Sequence, residues 1–324
     1  MKVGIVGAGV SGLAAARLLR TEGCEVKVFE KSKGFGGRCA TKRIGEYTFD
    51  TGATSIAPRG FSIEKTMMEE LDRTELVHIE RPILAHNMGR ISQGGTQRVS
   101  GPRFCYQSGI NKLGKLMAER IDVQREVLIE RIEKPADGGF CINGECFDAV
   151  ILTAPAPQSL AILEKSGIDR PLGFVSYRNT LSIMFGFDRP FEANWHAVID
   201  PEQVEPMTWL CCESLKCGRR CPEGHSAFVA QMNPRYSKQK YDSDDETIIR
   251  ETLIDVKRLI GSGFGEPTVA AIHRWRFAQP DATVNFATLN PAGSKLVVAG
   301  DATEGGRVEL AFESGIKAAR HLLA

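Results

Sequence analysis

The segment Gly7-Ala8-Gly9-Val10-Ser11-Gly12 constrains this chain more than any other feature. Residues 2–6 before it are a short apolar run that reads as a buried strand. Residues 10–20 carry the small and apolar pattern of a helix packed on a sheet. In such a setting the first glycine permits a tight turn, the second lets the backbone approach a pyrophosphate, and the third lets helix and strand pack closely. Phosphates would then meet free N–H groups at the positive end of a helix dipole, with no lysine required. A ligand-free tight turn is the plainer alternative, but the strand–helix–strand order favours a nucleotide.

Gly23 is placed to end the helix, and residues 25–29 read as a second strand that reaches Glu30. Glu30 follows Gly12 by 18 positions, where a carboxylate can accept hydrogen bonds from both ribose hydroxyls. The same charge repels a 2′-phosphate, which disfavours NADP. Next comes Gly34-Phe35-Gly36-Gly37-Arg38. The glycine pair lets the chain pass close to a ligand, and Arg38 can neutralise a pyrophosphate. A flexible surface turn is the alternative there.

The length of 324 residues suggests one large domain with a smaller one. A hydrophobic fraction of 42% and a charged fraction of 25% are ordinary globular values. With a formal charge of +1 and no basic run interleaved with aromatics, nucleic acid is not an expected partner. No stretch approaches the roughly 20 apolar residues that cross a bilayer, so no membrane span is expected. The basic start Met1-Lys2 before an apolar run imitates a signal peptide, but the spaced glycines assign it to the nucleotide turn, and a cytoplasmic protein is expected. The nine cysteines are an odd number outside any short disulfide frame, so most are expected to be reduced. Cys211, Cys212, Cys217 and Cys221 lack the spaced pairs of a zinc site, and no metal is expected.

Farther on, residues 111–120 read as a helix and 126–130 as a strand. Asn143-Gly144 marks a tight hairpin, and 149–153 forms a buried strand. Residues 295–299 form an apolar strand that ends at Gly300-Asp301, and residues 308–323 show helical spacing.

Taken together, these motifs resemble the flavin-containing amine oxidase superfamily. Its signature runs from the glycine fingerprint through the ribose acid to Gly-Gly-Arg and Asp-x-Gly-Ala, here Asp50-Thr51-Gly52-Ala53. The resemblance implies an α/β fold: a Rossmann-type FAD-binding domain, glutathione reductase/amine oxidase-like, with a second, smaller α+β substrate domain. Because nucleotide elements lie at both ends and in the middle, the FAD domain is expected at residues 1–55, 105–159 and 277–324. The substrate domain is expected at 56–104 and 160–276, with the flavin between the two. The residues implied around FAD are Gly7, Ala8, Gly9, Val10, Ser11, Gly12, Glu30, Lys31, Gly36, Gly37, Arg38, Gly52, Ala53, Thr54, Val127, Gly300, Asp301, Val308 and Glu309. Val127 would contact the adenine through its backbone, and Thr153-Ala154-Pro155 would close the dinucleotide domain. Asp301 would bind near the ribityl and phosphate groups, and the helix start at Val308 would face the flavin ring. Leu310 stands where the family has glycine. The superfamily's cysteinyl attachment uses a C-terminal cysteine and the last one here is Cys221, so non-covalent FAD is implied.

Within the superfamily the chain is most similar to the renalase-like proteins. The similarity is carried by Val175-Ser176-Tyr177, by His273-Arg274-Trp275-Arg276-Phe277-Ala278, and by Ser214-Leu215-Lys216-Cys217-Gly218-Arg219, where Cys217 replaces a proline. Thr54-Ser55 stands in place of that group's usual Gln-Tyr. Trp275, Arg276, Thr54 and Ser55 are the candidate substrate-pocket residues: an indole face can wall a planar ligand and a guanidinium can orient an anion or carbonyl. Buried packing with a satisfied charge is the alternative for Trp275 and Arg276. The six histidines are dispersed, and no general base is assigned from the sequence. The implied function is a FAD-dependent oxidoreductase that takes a hydride from a small nitrogen-containing substrate, an amine or a dihydronicotinamide-type compound, with O2 or another electron acceptor. The alternative is a non-catalytic binding protein on the same fold, as in GDP-dissociation inhibitors.

Overall fold

The computed structural model describes residues 1–59, 61–87, 89–92, 101–136 and 138–324. Parts of the expected substrate segment 56–104, namely 60, 88 and 93–100, therefore lie outside the described residues.

Five short strands, all parallel, form the first sheet in the order Leu296–Val298, Ala149–Leu152, Lys2–Val6, Glu25–Glu30, Asp122–Arg125. The central strands Ala149–Leu152 and, beyond Lys2, Lys2–Val6 are apolar and buried because both faces of the sheet are covered. The helices Val10–Thr21 and Val308–Leu323 share one face with Lys112–Met117, around Ile5, Leu13, Ala319 and Leu322. Small residues set how closely these elements approach. A Cβ on Gly12 would fall 2.0 Å from the Gly7 carbonyl oxygen, and one on Gly315 would fall 2.0 Å from that of Ser11. The opposite face is covered by the helix Ala156–Lys165 and the hairpin Phe140–Ile142/Glu145–Phe147.

That hairpin turns at Asn143 and Gly144, both with positive φ (49° and 80°), the pairing a two-residue turn demands. Cys141 and Cys146 face one another across it and are disulfide-bonded, while the other seven cysteines are free. The expected strand at 126–130 is displaced: pairing with Glu25–Glu30 runs over Asp122–Arg125. Its sequence, DVQR, is a mostly exposed edge with no apolar periodicity, whereas the apolar 127–129 continues irregularly beyond it.

The second sheet has seven strands in the order Val269–Pro280, Tyr177–Phe187, Ser226–Met232, Met207–Cys212, Ala197–Ile199, Ile83–Asn87, Arg90–Ser92. Pairing is antiparallel except between Ala197–Ile199 and Ile83–Asn87. The helix Asp245–Ile260 covers one face through Ile248, Leu253, Val256 and Ile260. It starts where the Asp244 side chain accepts from the Thr247 amide at 2.8 Å. The other face receives Tyr47 and Phe49 from the hairpin Thr41–Ile44/Tyr47–Asp50. Two elements run across the expected domain boundaries: Val269–Pro280 continues past residue 276, and Phe104–Tyr106 spans residue 104. Cys211 and Cys212, adjacent on their strand, point to opposite faces and join different apolar clusters.

Candidate active site

A cavity of about 1190 Å3 runs between the two sheets, larger than the usual pocket for a single small ligand. Its first wall is the glycine turn. Gly7 has φ +108° and sits against Thr153, whose hydroxyl donates to the Val6 and Gly7 carbonyls. Gly9 is the residue before the helix Val10–Thr21, and a Cβ built on it meets no protein atom within 4 Å. The emptiness is directional. At Gly12 the space is filled by protein, whereas at Gly9 it opens beside the helix N-terminus, where an anion is favoured.

Glu30 ends the second strand, is 8% exposed and lines the cavity. Its Oε2 accepts from the Ala8 amide at 2.8 Å, and Oε1 accepts from the Ser32 amide and hydroxyl at 2.8 and 2.6 Å. These bonds aim the carboxylate and leave acceptor capacity for a ligand hydroxyl. Lys31 and Val127 lie on the same wall. The Val127 amide donates to the Glu30 carbonyl at 2.9 Å, so of its backbone groups the carbonyl is the one left for an adenine contact.

The Gly36-Gly37 pair, φ +91° and +57°, folds back over the fingerprint, with the Gly36 amide donating to the Ala8 carbonyl at 2.8 Å. Arg38 is thereby carried to the far end of the molecule's sequence. Its Nη1 pairs with Asp301 Oδ2 and donates to the Ala278 carbonyl at 3.2 Å. Asp301 Oδ1 accepts from the Tyr177 hydroxyl at 2.7 Å. The expected roles of Arg38 at a pyrophosphate and Asp301 near a ribityl chain thus meet in one ion pair on the cavity wall. Gly300, φ +109°, precedes it, and the start of the helix Val308–Leu323 lines the cavity through Val308, Glu309 and Ala311.

The turn 50–55 forms the floor, and side chains from the second sheet and from the short helix Glu213–Lys216 pin its carbonyls individually. Thr51 O accepts from Ser182 Oγ at 2.7 Å and from Trp275 Nε1 at 2.8 Å. Gly52 O accepts from Gln231 Nε2 at 2.7 Å, and Thr54 O accepts from Lys216 Nζ at 2.9 Å. Trp275 therefore combines the two readings given it: its nitrogen anchors the turn, and its ring walls the cavity beside His273 at 4.2 Å between centroids. Opposite Trp275–Gln279 the pairing of the Tyr177–Phe187 strand slips between Arg178 and Thr180. This irregularity lets consecutive residues 273–279 line the cavity instead of alternating. It also turns out the Phe277 and Ala278 carbonyls that Arg38 meets. Arg276 is exposed and reaches the same space, as do Thr54 and Ser55.

Behind the floor lies a charge cluster of which the sequence motifs contain two members, Asp50 and Lys216, and give no sign of the other two. Asp50, Glu213, Lys216 and Arg220 are fully buried. Asp50 Oδ2 takes Lys216 at 2.8 Å and Arg220 at 2.9 Å, while Oδ1 takes the Ile110 amide at 2.8 Å and Thr41 Oγ1 at 2.7 Å. Burial alone would raise the Asp50 carboxyl, but Lys216 and Arg220 outweigh it and hold the group down at about 2. Burial and the neighbouring Asp50 push Glu213 upward. Glu213 and Arg220 carry no motif of their own, and their partners are distant in sequence.

Comparison with known proteins is consistent with this geometry. Residues 5–71 match the NAD(P)-binding Rossmann-like domain, and residues 83–323 match flavin containing amine oxidoreductase. Among curated relatives, a zeta-carotene-forming phytoene desaturase of Myxococcus xanthus is 47% identical over 55 residues, 17% of this chain and 11% of that protein. A 4,4'-diapophytoene desaturase of Staphylococcus aureus is 45% identical over 56 residues, again 17% and 11%. The match to these relatives thus spans about a tenth of their length. A solved structure from Exiguobacterium sp. 255-15, provisionally assigned as a protoporphyrinogen oxidase, aligns with TM-score 0.79 and 16% identity over 100% of this chain and 99% of that one. Putrescine oxidase bound to putrescine aligns with TM-score 0.77 and 14% identity, over 100% and 99%. With a glycine turn, ribose-side acid and cavity in place, and three quarters of the sequence matched, the chain belongs to the flavin-containing amine oxidoreductase family.

Proposed function

We propose that this chain holds FAD without a covalent link and uses it to oxidise a small, planar, nitrogen-containing substrate, passing the electrons to O2 or another acceptor. The observation that carries the reading is the single cavity reaching from Gly9 and Glu30 at one end to Trp275 and Arg276 at the other. The residues present fit a flavin dinucleotide. Gly9 leaves room for a pyrophosphate at a helix N-terminus, Glu30 faces the ribose position, and Val308 begins a helix on the cavity wall. When bound, the flavin supplies the hydride acceptor that the side chains lack.

The chain's own part is to bind, orient and exclude water. Trp275, held through Thr51, gives a fixed plane for a flat ligand. Burial, then Lys42, lowers His273, so a neutral imidazole stands beside that plane. Cys39, a cysteine on the cavity wall, is pushed up to about 12 by burial and by Asp50. It is a poor nucleophile for covalent attachment.

The renalase-like subtype, with dihydronicotinamide-type compounds as candidate substrates beside amines, is supported by placement. The 273–278 segment that carries that resemblance is the one walling the cavity. The test is anaerobic mixing of the flavin-loaded protein with a panel of amines and dihydronicotinamide isomers. Bleaching of the flavin band by a member of either class supports the proposal. A flavin-loaded protein bleached by none of them, yet reduced by an unrelated donor such as an alcohol, overturns the substrate class.

A further inference from the structure

We propose that the substrate side of the cavity contains an anion site in which Arg103 receives a carboxylate or phosphate group of the substrate. The inference rests on the flavin oxidoreductase reading and names the chemical class that this site accepts.

Arg103 is held in place by its backbone. Its carbonyl accepts from the Ile79 amide at 2.9 Å, and the next residue, Phe104, exchanges two hydrogen bonds of 2.8 Å with Ile56. The guanidinium is half-buried and lines the cavity. Its Nη1 donates to Ser55 Oγ at 3.1 Å, and its Nε is shielded from solvent with no acceptor among the described residues. A hydroxyl does not neutralise a half-buried cation, whose shielded N–H calls for a charged, hydrogen-bonding partner.

Three other arginines on this wall have theirs, while Arg276 is exposed to solvent. Arg38 pairs with Asp301, Arg178 with Asp281 at 3.2 Å and Arg274 with Asp245 at 2.7 Å. These are accounted for as structure. Arg103 instead faces a like charge: burial and then Arg59 lower it below the ordinary arginine range, against a single opposing contribution from Glu309. Glu309 already lies 3.4 Å from Arg307. The Arg103 guanidinium is held on the cavity wall at a cost that a bound anion removes, and its planar donors suit carboxylate and phosphate alike.

The position also fits one ligand. Trp275 is anchored to Thr51 and Arg103 to Ser55, so both contacts belong to a single short turn. Four residues of chain span at most about 14 Å. Both side chains line the same cavity, so one extended ligand can meet Trp275 with a flat body and Arg103 with an anionic group.

The test uses the flavin-loaded protein and isothermal titration calorimetry with three probes: benzoate, phenyl phosphate and benzamide. Benzoate or phenyl phosphate should bind at least tenfold more tightly than neutral benzamide, and the tighter of the two assigns carboxylate or phosphate. Arg103→Gln should weaken that anion tenfold or more and leave benzamide unchanged, with Arg103→Lys recovering part of the loss. Equal binding of benzamide and both anions to the wild-type protein overturns the proposal, and needs no variant to fold. Wild-type anion affinity in Arg103→Gln overturns it too, as does a folded Arg103→Gln protein that has lost its flavin, which would assign Arg103 to the cofactor. A wild-type chain that never holds flavin refutes the functional reading instead, so the two failures are distinguishable.

Discussion

Lys216 Nζ lies 2.8 Å from Asp50 Oδ2 and 2.9 Å from the Thr54 carbonyl, so one buried ammonium ties both ends of the cavity floor together. Removing it leaves Asp50 and Glu213 with Arg220 as the remaining buried cation of the cluster. Lys216→Met should destabilise the fold by about 3–5 kcal/mol, the cost of stranding a buried charge. Urea unfolding measures this. A loss below about 1 kcal/mol would mean that solvent reaches the cluster.

The same cluster gives stability a pH dependence of known sign. Asp50 is held at about 2 in the folded chain, below the roughly 3.9 of an unfolded aspartate. Its stabilisation is therefore complete above about pH 4 and lost as pH falls toward 2. Relative to Asp50→Asn, the wild type should lose on the order of 2 kcal/mol more over that window. Parallel unfolding free energies for the two proteins from pH 5 to pH 3 would contradict this.

Gly9 and Gly12 should separate binding from folding. Gly9 has φ −74° and open space at its Cβ position, so Gly9→Ala should fold with an unchanged thermal midpoint when flavin-free. Its FAD affinity should fall tenfold or more, because the methyl occupies the pyrophosphate's approach. Gly12→Ala drives a Cβ into the Gly7 carbonyl and should destabilise the fold itself. Equal flavin affinity for Gly9→Ala and wild type, by fluorescence titration, would move the pyrophosphate elsewhere.

What was legible in the sequence is what local geometry dictates. The glycine turn, the hairpin at Asn143-Gly144 and the helix Val308–Leu323 each rest on residues within one turn or one periodic stretch. The strand Asp122–Arg125 was hidden because its pairing, not its apolar pattern, makes it a strand. Glu213 and Arg220 were hidden for a different reason: charged residues read as surface, and only the fold shows that Asp50 is brought to them. The resemblance led to Lys216 through its loop motif but gave no sign that it is buried. Trp275 was legible as a candidate, whereas its bond to Thr51 depends on two sheets meeting.

Arg276 is exposed at the cavity, and the floor's carbonyls are held by other side chains among the described residues. Arg276→Ala should keep full flavin content and slow substrate-driven flavin reduction in stopped-flow measurements, through lost orientation. Trp275→Ala is the weaker probe, since the lost packing costs about 3–5 kcal/mol and would disturb Thr51 as well. Wild-type reduction rates and substrate affinity in Arg276→Ala would leave this arginine outside the substrate site.

Whether this chain is a flavoprotein holding FAD without a covalent bond is decided by the absorption spectrum of the purified protein before and after acid precipitation. The purified protein should show a two-band flavin spectrum whose colour passes entirely into the supernatant, where the released compound is FAD. A colourless protein that does not take up added FAD, or flavin that stays with the pellet, would contradict it.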